Sequence, residues 1–142
     1  MLNIGWFSTG RGEGSRGLLS FVQQRLAATD IDAHINFVFS NRERGEAEGS
    51  DEFFRLVDSY DIPLITHSSA AFRKRINGRF SAHREEFDLE VMDHLSGLEA
   101  DICVLAGYML IVSGKMCQRY SLLHLHPALP DGPTGPWEEV VW

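Results

Sequence analysis

Two histidines stand two residues apart in Leu122–Pro130 (LLHLHPALP). Side chains alternate faces along extended backbone, so His124 and His126 would share one side of a strand. Pro127 follows at once and keeps that strand from continuing inside a sheet. Paired imidazoles at a strand end suit two chemistries. They can move protons near neutral pH and donate hydrogen bonds to a developing oxyanion. They can also ligate zinc, but no third ligand stands at a diagnostic spacing, and we assign no metal.

A second candidate lies near the start. Gly12-Glu13-Gly14-Ser15-Arg16-Gly17 fits G-x-G-x-x-G between an apolar run, Asn3–Phe7, and a helical stripe of Leu18, Leu19, Val22 and Leu26. Glycines permit close backbone approach, and a helix N-terminus offers free N–H groups to an anion. Two ligands fit this turn, a dinucleotide or the phosphate of a small substrate. A dinucleotide asks for an acid about 20 residues on. Ser40-Asn41-Arg42-Glu43-Arg44 has none in the usual place, although its arginines would suit a 2′-phosphate. A third stretch, Phe72–Arg84, carries Arg73, Lys74, Arg75, Arg79 and Arg84 with no acid. Its plain reading is a solvated loop whose local field attracts anions.

These groups need elements to hold them. Apolar runs predict strands at Asn3–Phe7, His34–Phe39, Ile62–Thr66, Asp101–Ala106 and Leu122–His126. Pro63 makes the third peripheral. Helical spacing predicts helices from about Ser15, over Asp51–Tyr60 with Ser50 or Asp51 as cap, over Arg84–Leu98 through Phe87, Val91, Leu95 and Leu98, and over Ser113–Tyr120. Strands alternating with helices imply a parallel α/β sheet, which binds ligands beyond its strand C-termini.

The totals narrow the class. At 142 residues one domain is expected. A net charge of −7 argues against a nucleic-acid surface. Cys103 and Cys117 form no C-x-x-C pair and predict buried, reduced thiols in a cytoplasmic protein. No apolar run reaches membrane-spanning length, and no leader is evident.

Leu105–Ser113 (LAGYMLIVS) followed by Leu122–Pro130 resembles the catalytic core of the folate-dependent formyltransferases. The family pattern is an apolar strand, Gly-Phe/Tyr-Met, then Asn-Ile/Leu-His-Pro-Ser/Ala-Leu. The likeness runs back to Met1, and the branch acting on glycinamide ribonucleotide is the most similar. It implies a three-layer sandwich around a mainly parallel, Rossmann-like sheet, as one domain over 1–142. It also implies formyl transfer from 10-formyltetrahydrofolate, as co-substrate, to an amine of a phosphorylated small molecule such as a glycinamide ribonucleotide. That chemistry belongs to purine biosynthesis in the cytoplasm. The implied partners are small molecules, without nucleic acid or membrane, and a homo-oligomer is compatible.

By this resemblance His126 is the catalytic histidine, and His124 stands where the family has asparagine. Gly12, Glu13, Gly14 and Ser15 form the substrate-phosphate turn. Arg84 opens an Arg-Glu-x-Tyr/Phe-Asp helix start at the ligand site. Tyr108, Met109, Leu110, Ile111 and Val112 line the pterin pocket, with Leu110 where arginine is frequent. The family domain is longer and carries a catalytic aspartate loop with no counterpart here. Gly132–Pro136 predicts a loop and Trp137–Trp142 the opening of a helix too short to stand alone. The expectation is therefore a domain truncated at its C-terminal end, with exposed apolar surface and little or no transferase activity. Two other readings remain open, an NADP-binding oxidoreductase and a non-catalytic remnant that binds a phosphorylated ligand.

Overall fold

Five strands pair side by side, all parallel, in the order β3-β2-β1-β4-β5. The computed structural model describes residues 1–125. The chain runs β1 (Leu2–Phe7), α1 (Glu13–Ala28), β2 (Ala33–Ser40), α2 (Glu48–Ser59), β3 (Leu64–Thr66), α3 (Ser69–Arg75), a 3₁₀ turn (Phe80–Ala82), α4 (Arg84–His94), β4 (Ile102–Ala106), α5 (Gly114–Arg119) and β5 (Leu122–Leu125). It works outward from β1 through β2 to β3, then returns to lay β4 against the other side of β1. The order thus reverses between β1 and β4, the switch point where ligands enter open α/β sheets.

Both sheet faces are covered, as the expected three-layer sandwich requires. On one face Phe7, Phe37, Phe39 and Leu105 pack against Phe72 of α3, Phe87 and Val91 of α4 and Met116 of α5. On the other, Trp6, Val38, Val104 and Ala106 pack against Leu19 of α1 and Phe53, Phe54 and Val57 of α2. Each fully buried Phe, Leu, Val or Met side chain among these contributes about 2 kcal/mol of transfer free energy. Ile35 and Phe37 lie on opposite faces although their numbers share parity. The register with β1 slips between Ile4 and Gly5, so Asn36 is the extra residue of a bulge. That explains why this strand alternates only in part along the sequence.

Several expectations change. The stretch from Phe72, expected as a solvated loop, starts inside α3. The Ser68 hydroxyl caps that helix by accepting from Ala71 N at 3.0 Å, and Phe72 anchors it in the core. Helix α2 begins at Glu48 without a side-chain cap. Ser50 instead donates to the Thr9 carbonyl at 2.9 Å, and Asp51 accepts from Gly45 N at 2.8 Å. Cys103 is buried and its thiol is pushed up to about 12 by desolvation, whereas Cys117, expected to be buried, is exposed on α5. Strand β5 is described to Leu125, so His126 lies outside the described residues. No helix among the described residues is long and apolar enough to cross a membrane.

Candidate active site

The loops leaving β1 and β4 meet at the switch point. Thr9 N donates to the Gly107 carbonyl at 3.0 Å, and Met109 N donates to Thr9 Oγ1 at 2.9 Å. Beside this junction opens a cleft of about 390 Å³. Arg11, Gly12, Gly14, Ser15 and Leu18 line it from the first loop and α1. Ala106, Gly107 and Met109 line it from the second. A wider depression of about 490 Å³ is lined by α1 alone, past Phe21 and Arg25, away from the strand ends.

Two glycines at this junction combine left-handed backbone with no room for a side chain. Gly10 has φ 71°, and a Cβ there would come within 2.7 Å of the Phe53 ring. Gly107 has φ 72°, and its Cβ would come within 2.8 Å of Ser15 Oγ. L-residues resist this left-handed backbone. The motif glycines behave differently. Gly12 is the N-cap of α1, Gly14 and Gly17 lie within the helix, and a Cβ at any of the three meets nothing within 4 Å. Helix α1 therefore begins at Glu13, ahead of the expected Ser15, and no side chain caps it. A 16-residue helix with an uncapped start leaves N–H groups and positive dipole character at the cleft wall. Glu13 itself is exposed and outside the cleft lining.

The second loop divides by burial. Tyr108 is core, meeting Phe7 edge-on at 5.5 Å and Phe39 at 6.2 Å between ring centres. Met109 is half-exposed at the cleft, and Ile111 is 68% exposed, so Ile111 is not core. Leu110 and Val112 pack partly against the α4 side of the core.

At the far end of this loop, the buried Asp88 of α4 accepts from Ser113 N at 2.6 Å. Burial raises the Asp88 carboxyl above its ordinary range, although the Ser113 N–H and the nearby Arg84 charge favour ionisation. Burial and the Asp88 charge likewise push the Tyr108 phenol up. Arg84 Nε and Tyr108 Oη are buried polar atoms near this carboxylate without a hydrogen-bond partner. Arg84 is thus grouped with the end of the second loop and not with the Gly12–Ser15 turn. His124 lies on β5 in register with Leu105, and is exposed. Among the described residues no group of three or more His, Cys, Asp or Glu side chains is placed to hold a metal ion.

Sequence reasoning passed over Thr9 and Asn41. Thr9 Oγ1 donates to Asn41 Oδ1 at 2.7 Å, and Asn41 Nδ2 donates to Ser69 Oγ at 2.9 Å. A signal was present: Ser8-Thr9 and Ser40-Asn41 both follow directly on apolar strands that a parallel sheet places side by side. The arginines considered for a 2′-phosphate are engaged elsewhere. Arg42 donates to Ser50 Oγ at 3.1 Å, and Arg44 pairs with Asp58 at 3.1 Å.

A doubly wound sheet with a helix N-terminus and a backbone-lined cleft at its switch point defines an α/β domain of the kind that receives ligands beyond its strand C-termini. The formyl transferase family model matches residues 11–134. The chain belongs to that family. A phosphoribosylglycinamide formyltransferase of Haemophilus influenzae is 30% identical over 102 residues, which are 70% of this chain and 41% of the relative. The crystal structure of glycinamide ribonucleotide transformylase 1 from Symbiobacterium toebii matches with a TM-score of 0.67 at 24% identity, over 95% of this chain and 56% of that one. That of phosphoribosylglycinamide formyltransferase from Bacillus halodurans matches with a TM-score of 0.68 at 20% identity, over 94% and 61%. The chain therefore spans roughly two fifths to three fifths of the length of these relatives.

Proposed function

We propose that this chain binds 10-formyltetrahydrofolate together with a phosphorylated amine of the glycinamide ribonucleotide class, and that the reaction at this site is formyl transfer. The observation that carries the reading is one cleft shared by two loops that lie 100 residues apart at Thr9 and Met109. The start of α1 supplies N–H groups for a phosphate, with the Ser15 hydroxyl as a further donor and Arg11 as a counter-charge. Glu13 contributes through its backbone alone, since its carboxylate would repel the phosphate. The Met109–Val112 backbone offers donors and acceptors to a pterin edge, and Ile111 supplies apolar surface. Arg84 is assigned to an anionic group of either substrate, with the Asp88 charge nearby.

In the reaction the amine attacks the formyl carbon, the carbonyl oxygen takes up negative charge, and the bond to N10 breaks. His126 is assigned the proton given up by the amine, and His124 the second hydrogen bond to the oxyanion. Both imidazoles suit this because they donate and accept near neutral pH. We assign the activity to the cytoplasm and to purine biosynthesis, and self-association is compatible with it.

Thermal shift with three ligands tests the reading. Expected are stabilisation by 10-formyl-5,8-dideazafolate and by ribose 5-phosphate, and none by NADPH. Stabilisation by NADPH alone would support an oxidoreductase. A response to ribose 5-phosphate alone would support a phosphate-binding remnant.

A further inference from the structure

We infer that Thr9, oriented by Asn41 and Ser69, is a positioning residue that sets the backbone of the Met109–Val112 loop for the folate. This rests on the reading of that loop given above. A threonine hydroxyl has a single hydrogen to give. Here it goes to Asn41 Oδ1 at 2.7 Å, which leaves the Thr9 lone pairs to accept from Met109 N at 2.9 Å.

The Asn41 amide is itself fixed. Its Nδ2 donates to Ser69 Oγ at 2.9 Å, and Ser69 Oγ gives its own hydrogen to the Asn41 main-chain carbonyl at 3.4 Å. A flipped amide would set its oxygen against Ser69 Oγ, whose hydrogen is already given to the Asn41 main chain. The direction of the relay therefore runs one way, from Met109 N–H through Thr9 O–H to Asn41.

Burial shows what the relay serves. Thr9, Asn41 and Ser69 are 1%, 4% and 5% exposed, yet the chain ends on Met109, which is 47% exposed at the cleft. A buried polar chain is costly unless every member is satisfied, and this one reaches out of the core to hold a single backbone N–H of a cleft loop. Asp88 pins the other end of the same loop through Ser113 N at 2.6 Å. Leu110, Ile111 and Val112 lie between the two pins.

Thr9→Val in the 142-residue chain preserves shape, removes both hydrogen bonds and leaves Met109 N–H without its acceptor. Expected is a loss of about tenfold or more in calorimetric affinity for 10-formyl-5,8-dideazafolate. Affinity for ribose 5-phosphate should stay within about twofold, since the relay does not touch the turn. Thr9→Ser should restore folate-analogue affinity, because it keeps the hydroxyl. Wild-type affinity in Thr9→Val would overturn the positioning role alone. A wild-type chain that fails to bind the analogue would remove the folate reading of the loop, and the positioning role with it. Should Thr9→Val fail to fold, the unchanged chain still decides by NMR. Saturation with the analogue should shift both the Met109 amide and the Asn41 side-chain NH₂ resonances. A shifted Met109 beside an unmoved Asn41 would show that no relay connects them.

Discussion

Gly107→Ala tests whether the two loops of the cleft touch as described. The perturbation adds one carbon at a residue with φ 72°, placing it 2.8 Å from Ser15 Oγ and 3.6 Å from Ser8 Oγ. Left-handed backbone costs an L-residue roughly 1 kcal/mol or more. Displacing the Ser15 hydroxyl to clear the contact costs of the order of another 1 kcal/mol, by analogy with core overpacking. The sum, ~2 kcal/mol, should lower the melting midpoint of a domain this size by roughly 6 °C. The two parts separate in a double-mutant cycle. In a Ser15→Ala background the hydroxyl is gone, so the second increment should vanish and about half the loss should return. Urea unfolding followed by far-ultraviolet circular dichroism measures each midpoint. A Gly107→Ala midpoint equal to wild type would refute both the strained backbone and the contact. An equal loss in the two backgrounds would refute the Ser15 contact alone.

Phe87 is fully buried and its ring lies 5.2 Å from that of Phe72 and 5.5 Å from that of Phe80. Phe87→Ala should cost ~3–5 kcal/mol by urea unfolding, and a loss below ~1 kcal/mol would contradict its place in the core. Cys117 is exposed while Cys103 is buried with its thiol raised to about 12. A disulfide exchange reagent at pH 8 should therefore titrate one thiol at once and the other only on unfolding. Asp88 has a carboxyl whose folded pKa is raised by burial, so its neutral form stabilises the fold. That contribution is full below the unfolded pKa and is lost as pH rises through the folded one. Asp88→Asn should melt higher than wild type at neutral pH, and the advantage should shrink as pH falls through the folded pKa of Asp88. An advantage independent of pH would assign it to another cause. His124→Asn should raise any tetrahydrofolate release by about tenfold, because the smaller amide donates without depending on a tautomer. An equal or slower rate would show that His124 is not a compromised donor.

Strand and helix alternation was legible because apolar period is a local property. Leu18, Leu19, Val22 and Leu26 announce α1, and Phe87 and Val91 announce α4. Where a tertiary feature interrupts the period, the pattern blurs. The bulge at Asn36 moves Ile35 and Phe37 to opposite faces, which no count of alternating residues anticipates. Helix α3 was hidden by its charge: Arg73, Lys74 and Arg75 suggest a loop, while the features that make a helix, Ser68 as cap and Phe72 as anchor, are single residues. The candidate site was legible in outline only. Gly12, Gly14, Ser15 and Met109 do meet in one cleft, without the Glu13 side chain. Tyr108, named with them, is part of the core, and Arg84 sits with Asp88 at the other end of the loop. Neither position follows from spacing, because each depends on which sheet face a neighbouring helix covers.

On the proposed reading, the site separates binding from bond-making along the chain. Cleft, relay and loop pins are built by residues up to Ser113, through hydrogen bonds present without a ligand. The imidazoles assigned to proton and oxyanion chemistry come later, at His124 and His126. Strand β4 connects the two parts. Its end, Ala106 and Gly107, forms a wall of the cleft, and in its register with β5 Leu105 pairs with His124 and Ala106 with Leu125. A substitution in the Thr9 relay should therefore alter ligand affinity before turnover, and one at His124 should alter turnover with affinity kept. Placing the reacting carbon within reach of the imidazoles depends on both, since positional errors at a reacting centre are costly in rate. The geometry that joins the cleft to His124 is the parallel register of β4 and β5, which neither histidine nor glycine motif encodes by itself.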